Sequence, residues 1–387
     1  MARSAHAGRA AVTVSGKGLS VAQVGSRGIP GHRGGVERVV EAVAPRLAAT
    51  GYDVTVYCAA GEGAKPAEWR GVKLVYGKGV QTKYFDTISR SFGATLREAF
   101  GRHDIVHYHS SGSAPLAILP RLFGKKVVVT VHGMDWQRRK WNVFGRMFLQ
   151  LGEWAAIKFP HDTVVVGPDL KTWLDDKYGT DVTYIPNGVE ERTQRAPTRL
   201  PEKGLEARKY VLFLARLVPE KQVHTLIEAW MGLADRHGMK LAIAGPAWHS
   251  VDYAEGLKKQ AAGDPSVTFL GEVDEELLEQ LYGNCYAYVL PSEVEGMSLS
   301  LLDGMAFGAC VICSDIAPNL AVVGDAGLSF KVLDAADLRA RLAEIMADPA
   351  RADRLRVAAR KRISEEFTWD KVAERWDALY RKVAGRR

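Results

Sequence analysis

Short apolar segments recur along this chain and alternate with segments of helical periodicity. In the first half they are LSVAQVG, YDVTVYC, GVKLVY, DIVHYH, KVVVTVH and DTVVVG. In the second half they are YVLFLA, MKLAIAG, SVTFLG, YAYVLPS and ACVICSD. Buried strands that alternate with helices form parallel sheets, so the pattern predicts an α/β fold. Because 387 residues are many for one hydrophobic core, we expect two such domains.

A polar segment rich in proline, glycine and charge follows Pro186 and predicts the break between the domains. The expected organisation is a flexible N-terminal tail over residues 1–18, a first domain over 19–190, a linker over 191–208 and a second domain over 209–368. Both domains are expected to be Rossmann-like and to face a central cleft. Ligands of open α/β sheets bind beyond the carboxyl ends of the strands, so the strand-to-loop junctions are the candidate sites.

The composition sets the expected compartment and partners. A net charge of +7 favours anionic partners such as phosphates, nucleic acid or an acidic membrane face. The basic start of the chain lacks the apolar core of a signal peptide, and no segment reaches the ~18–20 apolar residues that span a bilayer. Four cysteines in so long a chain indicate a reducing compartment. We therefore expect a cytoplasmic protein.

Two junctions in the first half carry residues suited to ligand binding. The loop GSRGIPGHRGGVE contains Gly34 and Gly35 directly before a helical segment, where glycines let backbone amides approach an anion. From the residues alone, phosphate binding and a long surface turn are equally favoured. His132 ends the strand KVVVTVH, where it can contact a polar ligand, although a structural histidine is the commoner reason for such a residue.

Two junctions in the second half carry the charged candidates. Arg216 and Lys221 flank a helix start, which is unfavourable for cations unless an anion such as a diphosphate lies between them. Glu295 and Asp303 flank the start of the next candidate helix, MSLSLLDGMAFG, where both could accept hydrogen bonds from the hydroxyls of one ligand. Spacing alone favours the other explanation, in which Glu295 is a helix-dipole acid and Asp303 is a solvated side chain.

Two further patterns are better explained without a site. The CVIC sequence lies in a strand, where residues three apart face opposite sides, so its cysteines are expected in the core rather than on a metal. No Asp-x-Asp pair occurs, which argues against a divalent-metal clamp. The run WQRRKW could face nucleic acid, but more often such a run is a solvated helix start, and no nucleic-acid partner is expected.

Taken together, these junctions resemble the retaining glycosyltransferases of family 4, which have the GT-B fold. ARLVPEK resembles the diphosphate-binding segment of that family, and PSEVEGMSLSLLDGMAFG is similar to its Glu-x7-Glu motif. RGIPGHRGGVE, VHGMDWQRRKW and YIPNG resemble the subgroup that includes bacterial rhamnosyltransferases of polysaccharide biosynthesis. The resemblance covers nearly the whole chain after residue 19, and it implies that the last helix, 369–387, crosses back to the first domain.

The resemblance implies a role for each matching residue. Arg216 and Lys221 would bind the donor diphosphate, and Glu295 would contact hydroxyls of the transferred sugar. His132 would lie beside that sugar. The backbone amides expected to meet the phosphates are those of Gly296, Met297, Ser298 and Leu299. The glycines expected to let the first domain approach the donor closely are Gly34 and Gly35.

This sequence departs from the family pattern at three positions. Asp303 stands where a glutamate normally holds the nucleotide ribose, and it is one methylene shorter. Gly304 replaces a usual alanine, and Gln222 replaces a frequent glycine. The departures leave open which nucleotide is bound and how Asp303 would reach it.

The implied activity is the transfer, with retention of configuration and without a metal or other cofactor, of a hexose or 6-deoxyhexose from a nucleotide-diphosphate sugar. The acceptor would be a hydroxyl of a glycan, a lipid-linked glycan or a small molecule. A lipid-linked acceptor would place the chain at the inner face of an anionic membrane, with residues 136–159 as the contact. For most of that segment, a helix packed in the core with a solvated basic edge is the commoner explanation. The alternatives are a GT-B sugar-nucleotide epimerase and a noncatalytic homologue that binds a nucleotide sugar.

Overall fold

The structure is a computed structural model that describes residues 18–31, 34–60, 65–79, 86–134, 136, 142–247 and 250–385. Contacts between residues divide the chain into two compact units. The first comprises Met1–Val131, Arg139–Thr163 and Ala373–Arg387, and the second comprises His132–Arg138 and Val164–Val372. The predicted tail, 1–18, lies outside the described residues except for Gly18.

Strands and helices alternate through the first half of the chain. They are β1 (Ser20–Val24), α1 (Gly35–Ala49), β2 (Asp53–Ala59), β3 (Glu68–Trp69), β4 (Val72–Gly77), α2 (Asp86–Ala99), β5 (Ile105–Tyr108), α3 (Ile118–Leu122), β6 (Lys126–Val131), α4 (Val143–Lys158), β7 (Asp162–Val165), α5 (Pro168–Tyr178) and β8 (Thr183–Tyr184). A 3₁₀ helix, Ser111–Ala117, precedes α3.

The same alternation continues in the second half. The elements are β9 (Tyr210–Leu214), α6 (Val223–Met231), β10 (Lys240–Ala244), α7 (Val251–Gln260), β11 (Val267–Gly271), α8 (Glu275–Asn284), β12 (Ala287–Leu290), α9 (Leu299–Ala306), β13 (Cys310–Ser314), α10 (Ala317–Val323), β14 (Leu328–Phe330), α11 (Ala335–Ala347), α12 (Pro349–Arg362) and α13 (Trp369–Ala384). A 3₁₀ helix, Pro219–Lys221, precedes α6.

Each unit is built on a parallel sheet, as predicted. In the first unit β1 pairs in parallel with β2 and β5, β4 extends the sheet beyond β2, and β6 extends it beyond β5. In the second unit the strand order is β11-β10-β9-β12-β13-β14. The first strand of that sheet, β9, therefore lies between β10 and β12, and the order reverses there. This is the doubly wound arrangement of a Rossmann-like domain.

The core of the second unit forms two apolar layers, one on each face of its sheet. Successive residues of β9 alternate between them, since Leu212 belongs to one layer and Val211 and Phe213 belong to the other. Cys310 and Cys313 divide in the same way, and both thiols are buried. The prediction that the CVIC sequence lies in a strand with core cysteines is confirmed.

The predicted strands are all present, but three short ones were missed. β3, β8 and β14 have two or three residues each, too few for a periodic pattern to mark them. Helix α1 begins at Gly35, within the glycine pair that precedes the predicted helical segment, and Gly51 follows the helix with a φ of +97°. That left-handed conformation is the reason that a glycine ends the helix.

The segment 191–208, predicted to be a linker, lies within the second unit and is bound to α8. Glu279 forms ion pairs with Arg192 and Arg195, and Arg199 pairs with Asp274 at 2.8 Å. The division between the compact units falls instead after Val131, after Arg138, after Thr163 and after Val372. It therefore differs from the sequence-based bounds of 19–190 and 209–368.

The last helix, α13, contributes to both units. Trp369 packs against Gly188 of the second unit, whose added Cβ would lie 2.6 Å from the indole. Tyr380 belongs to the first unit, where its hydroxyl lies 2.7 Å from Nδ1 of His107 and accepts a hydrogen bond from Gln23 at 3.0 Å. Trp376 packs on the ring of His107, with centroids 4.7 Å apart. The aromatic residues of α13 are thus core residues.

Replacing Tyr380 by phenylalanine tests the buried polar network. Tyr380→Phe leaves His107 and Gln23 without their shared partner, so we expect the free energy of unfolding to fall by about 1–3 kcal/mol in urea titrations. Tyr76→Phe is the control, because the Tyr76 hydroxyl donates to the Pro66 carbonyl at an exposed position. That loss should stay within about 0.5 kcal/mol. Equal losses would show that the network adds no stability.

Candidate active site

The charged residues predicted from the sequence lie at the reversal of strand order in the second unit. Arg216 and Lys221 follow β9, and Glu293 and Glu295 follow β12. β9 and β12 are parallel neighbours, so the loops that leave them emerge at the same edge of the sheet. Crevices at such a reversal are where open α/β sheets bind their ligands.

The structure pairs two of the predicted site residues directly. The ammonium of Lys221 donates to Oε1 of Glu295, and the two side chains are only 14% and 11% exposed. Removing one partner of so little hydrated a pair would leave an uncompensated charge. Lys221 and Glu295 are therefore each other's partners in this structure. A phosphate could replace Glu295 as the partner of Lys221, and a sugar hydroxyl could replace Lys221 as the partner of Glu295.

Arg216 is the second cation of this edge. Its side chain is exposed, and among the described residues no carboxylate forms an ion pair with it. Guanidinium groups bind phosphate oxygens through two parallel hydrogen bonds. Arg216 is thus available to an anionic ligand without first losing a protein partner.

Gln222 ties the two loops together. Its φ of +54° is in the left-handed region, which explains why a glycine is frequent at this position in the family that the sequence resembles. The buried side chain compensates, because its amide nitrogen donates to Glu293 at 3.0 Å and its oxygen accepts from Thr225 at 3.1 Å. Glu293 was not predicted, and this bond gives it a positioning role.

Three glycines bring two other loops into contact beside Glu295. A Cβ added to Gly296 would lie 2.0 Å from the carbonyl oxygen of His132, and one added to Gly167 would lie 2.9 Å from the carbonyl oxygen of Gly296. Gly133 has a φ of +154°, and its added Cβ would lie 3.5 Å from the Cα of Gly296. Any side chain at Gly296 would separate the His132 loop from the Glu295 loop.

His132 therefore lies next to the Glu295 loop. Its role beside the donor sugar stays a prediction. Burial lowers the pKa of its imidazole to about 4. The ring is consequently neutral at pH 7, and one of its nitrogens can donate a hydrogen bond while the other can accept one.

Helix α9 begins later than predicted. The sequence placed the helix from Met297, whereas the structure starts it at Leu299, with Ser298 as its cap. The Ser298 hydroxyl accepts from the amide of Leu301 at 3.4 Å, so one of the first-turn donors is already used. Gly296 and Met297 belong to the preceding loop, and their amides were wrongly assigned to the helix start.

Asn187, which the sequence analysis did not single out, holds this loop in place. Its side-chain amide donates to the carbonyl oxygen of Met297 at 3.2 Å, and its backbone amide contacts the Met297 sulfur at 3.0 Å. Asn187 is only 5% exposed. The only feature of the sequence that pointed to Asn187 was its position in YIPNG, one of the segments that resemble the glycosyltransferase family.

Asp303 is buried in the first turns of α9 and is 4% exposed. The neighbouring Gly304 packs on the ring of Tyr288, since an added Cβ would lie 2.8 Å from the ring carbon Cδ1. The usual alanine would clash at this position, so Tyr288 explains one departure from the family pattern. Burial raises the pKa of Tyr288, and the negative charges of Glu295 and Asp303 raise it further.

The predicted glycines Gly34 and Gly35 belong to the first unit. Gly34 precedes α1 with an extended backbone, and its added Cβ would lie 1.8 Å from the carboxylate of Glu37. That carboxylate accepts from the amide of Arg27 at 2.8 Å. The absence of a side chain at Gly34 therefore lets Glu37 fasten the glycine-rich loop.

The described residues contain neither a metal-binding cluster nor a membrane-spanning helix. No group of three or more His, Cys, Asp or Glu side chains has an arrangement that could hold a metal ion. In the same part of the chain no helix has the length and apolar character needed to cross a bilayer. The basic run Arg138, Arg139 and Lys140 and the neighbouring Asp135 lie outside the described residues.

The two parallel-sheet, Rossmann-like domains define the class of fold as GT-B. The family models "Glycosyl transferases group 1" and "Glycosyltransferase Family 4" match residues 196–362 and 33–192. Together they cover most of the chain, and the protein belongs to these glycosyltransferases. The predicted family and fold are thereby confirmed.

Individual proteins are similar over nearly the whole chain. Glycogen synthase of Mycobacterium tuberculosis is 26% identical over 90% of this chain and 91% of its own. The GDP-mannose-dependent alpha-(1-6)-phosphatidylinositol monomannoside mannosyltransferase of Mycolicibacterium smegmatis is 25% identical over 88% and 93%. The structure of sucrose-phosphate synthase from Thermosynechococcus elongatus superposes with a TM-score of 0.82 over 95% and 99% of the two chains, at 21% identity.

The contact between Gly304 and Tyr288 can be tested with a matched pair of helix substitutions. Gly304→Ala should lower the free energy of unfolding by about 1–3 kcal/mol, because the new methyl group overpacks against the Tyr288 ring. Gly256→Ala is the control, since Gly256 lies in α7 with no atom within 4 Å of an added Cβ. That change should stabilise the protein by about 0.4–1 kcal/mol. Equal effects in urea titrations would reject a tight contact at Gly304.

Proposed function

We propose that the protein transfers a hexose or 6-deoxyhexose from a nucleotide-diphosphate sugar to an acceptor hydroxyl, with retention of the anomeric configuration and without a metal ion. The observation that carries the proposal is the placement of Arg216, Lys221 and Glu295 at the reversal of strand order. The two cations bind the diphosphate, and the carboxylate accepts hydrogen bonds from the sugar hydroxyls. Rhamnose is the proposed 6-deoxyhexose, from the subgroup that the sequence resembles.

The proposed reaction needs no protein nucleophile. The bond between the anomeric carbon and the diphosphate oxygen breaks, and the acceptor oxygen forms the new bond on the same face of the sugar. The acceptor proton passes to the departing phosphate oxygen. Arg216 and Lys221 stabilise the negative charge that develops on the diphosphate, which is the principal catalytic contribution of such a site. The neutral His132 is proposed to bond a hydroxyl of the sugar.

Lys221→Ala tests the proposed donor site. Loss of one preorganised charge partner typically costs about 10²–10³ in turnover, and we expect that loss at saturating donor. Slow hydrolysis of the donor, measured as released nucleoside diphosphate, gives an acceptor-independent assay with UDP-, GDP-, ADP- and dTDP-sugars. Lys258→Ala is the control, because Lys258 forms an exposed pair with Glu255 in the same unit.

The same assay separates the proposal from its alternatives. A retaining transferase releases the sugar first as the anomer that the donor carried, which NMR detects before mutarotation, and EDTA leaves the rate unchanged. An epimerase would instead yield a sugar changed at a ring carbon. A noncatalytic homologue would show thermal stabilisation by one nucleotide sugar but no turnover in either protein. Unchanged turnover in Lys221→Ala would reject its role.

An anionic membrane surface is proposed as the place where a lipid-linked acceptor is met. Helices α2, α3 and α4 of the first unit expose large apolar side chains, among which Phe144, Leu122 and Phe100 are 80%, 73% and 72% exposed. Phe100 and Phe123 join α2 to α3, with ring centroids 4.5 Å apart. The full set is Phe92, Leu96, Phe100, Ile118, Leu122, Phe123, Val143, Phe144, Met147, Phe148, Leu151 and Trp154, here called the apolar face.

The sequence predicted residues 136–159 as the membrane contact, and packing explains why α4 is apolar on an exposed side. On its buried side Gly152 permits close packing, since an added Cβ there would lie 2.3 Å from the Ser111 carbonyl oxygen. On its exposed side large apolar residues such as Phe144 and Leu151 accompany the cations Arg146 and Lys158. A surface of this size on a single protein normally has a partner.

The charges around the apolar face favour a negatively charged partner. Among the described residues of 88–123 and 142–159, every charged side chain in the exposed class is basic. These side chains are Arg97, Arg102, Arg121, Arg146 and Lys158. The carboxylates Glu98 and Glu153 of the same segments are buried. Apolar side chains ringed by cations are typical of helices that lie on anionic bilayers.

Sedimentation with vesicles tests the membrane proposal. We expect binding to vesicles with phosphatidylglycerol, weaker binding to neutral phosphatidylcholine, and at least tenfold weaker binding for Phe144→Asp with Leu151→Asp. Val357→Asp is the control, because Val357 is equally exposed but lies in α12 of the second unit. If the wild type is a dimer that the double variant converts to monomers, the face joins two copies and the membrane proposal is wrong.

A further inference from the structure

A cavity of about 270 Å³ lies in the first unit, apart from the residues assigned to the donor. It opens at the carboxyl ends of β1, β2 and β4 and is closed on one side by α2. In an open parallel sheet this edge is the one at which ligands bind. The proposed reaction so far assigns no substrate to it.

Two buried hydroxyls in the lining lack a hydrogen-bond partner among the described residues. They belong to Ser26, in the loop after β1, and Ser91, on α2, and these residues are 4% and 2% exposed. Buried hydroxyls are ordinarily bonded, so two unbonded ones in a single cavity point to a polar group that enters it. A hydroxyl can donate to an anion or bond another hydroxyl, and either chemistry fits here.

The charged residues of the lining are all cations. Lys78, Arg90 and Arg97 line the cavity, and no aspartate or glutamate of the described chain does. Lys78 and Arg97 form no ion pair with a described carboxylate. The carboxylate of Glu98, next to Arg97 in sequence, is buried and bonded to Tyr57 and to His103. The cavity therefore has an uncompensated positive charge.

Helix α2 arranges these groups on one side. Arg90 and Arg97 are seven residues apart, which is two turns and roughly 10 Å along the helix axis, with Ser91 between them. The loop that holds Ser26 is packed tightly, because an added Cβ at Gly28 would lie 2.6 Å from Cys58. Gly93, also in the lining, has no atom within 4 Å of an added Cβ, so it leaves open space beside the cations.

We infer that this cavity binds the phosphate group of a phosphorylated sugar or polyol, with Lys78, Arg90 and Arg97 on the phosphate and the hydroxyls of Ser26 and Ser91 as further hydrogen-bond partners. Three cations and two hydroxyls can bind the oxygens of a phosphate group through charge-assisted hydrogen bonds. The cavity has room for a phosphate and part of a sugar ring. The assignment of this ligand as the acceptor rests on the proposed transferase function.

Calorimetric titration of the full chain tests the site with inorganic phosphate, glucose 6-phosphate and uncharged glucose. We expect the two phosphates to bind, and glucose to bind at least tenfold more weakly than glucose 6-phosphate. Arg97→Gln and Gly93→Leu should each weaken glucose 6-phosphate at least tenfold, by removal of a charge and by filling of the open space. Ser91→Ala should weaken it less. Arg354→Gln, an exposed arginine of the second unit, is the control.

The outcomes distinguish this inference from the proposed donor site. Binding that is lost in Lys221→Ala but kept in Arg97→Gln would place the phosphate at the donor site and overturn the inference. Binding that survives both Arg97→Gln and Gly93→Leu, or no binding of either phosphate, would also overturn it. Loss of phosphate binding in the cavity variants alone supports the inference. If no nucleotide sugar is hydrolysed in the donor assay, the transferase proposal fails but the phosphate site in the cavity still stands.

A further arm identifies the source of the phosphate. Gly93→Leu removes no side chain of the apolar face, so a loss of sedimentation with phosphatidylglycerol vesicles in this variant reports the cavity. If Gly93→Leu loses binding both to glucose 6-phosphate and to the vesicles, the natural ligand is a lipid-linked phosphate. If Gly93→Leu loses binding to glucose 6-phosphate but still binds the vesicles, the natural ligand is a soluble phosphorylated acceptor. Either result supports a phosphate site built on α2.

Discussion

The reversal of strand order between β9 and β12 is the constraint on which the candidate active site depends. Both strands are parallel and central, so two loops from distant parts of the sequence leave the same edge of the sheet. Lys221 and Glu295, 74 positions apart, thereby form one ion pair. The bond from Gln222 to Glu293 and the bond from Asn187 to Met297 then fix the loops around that pair.

Close backbone packing supplies the other half of the site. Gly296 allows the carbonyl oxygen of His132 to approach the Glu295 loop at a distance that no other residue permits. The same principle operates at Gly304, where the missing methyl group accommodates the Tyr288 ring. Helix propensity alone would favour alanine there. Both glycines are therefore set by tertiary contacts rather than by local conformation.

The distribution of charge has a consistent logic in the two units. In the second unit one cation, Lys221, has a carboxylate partner and the other, Arg216, has none among the described residues. In the first unit Lys78 and Arg97 line a cavity without a described carboxylate. Unpaired cations are common on surfaces, but here they lie at the carboxyl edges of parallel sheets, where an anionic substrate would bind. The net charge of +7 fits a protein that binds several phosphates.

The sequence by itself determined the parallel α/β class, every strand of four or more residues, and the charged candidates of the second unit, because periodicity and strand-end position are local properties. It did not determine the start of α9, since Ser298 rather than Gly296 caps the helix, nor the two-residue strands β3 and β8. Only the tertiary structure decided that residues 191–208 bind α8, that Asp303 is buried and that two serines lack partners in a cavity. Those features depend on which distant segments meet, and burial and hydrogen-bond pairing are set by that meeting rather than by neighbours in the chain.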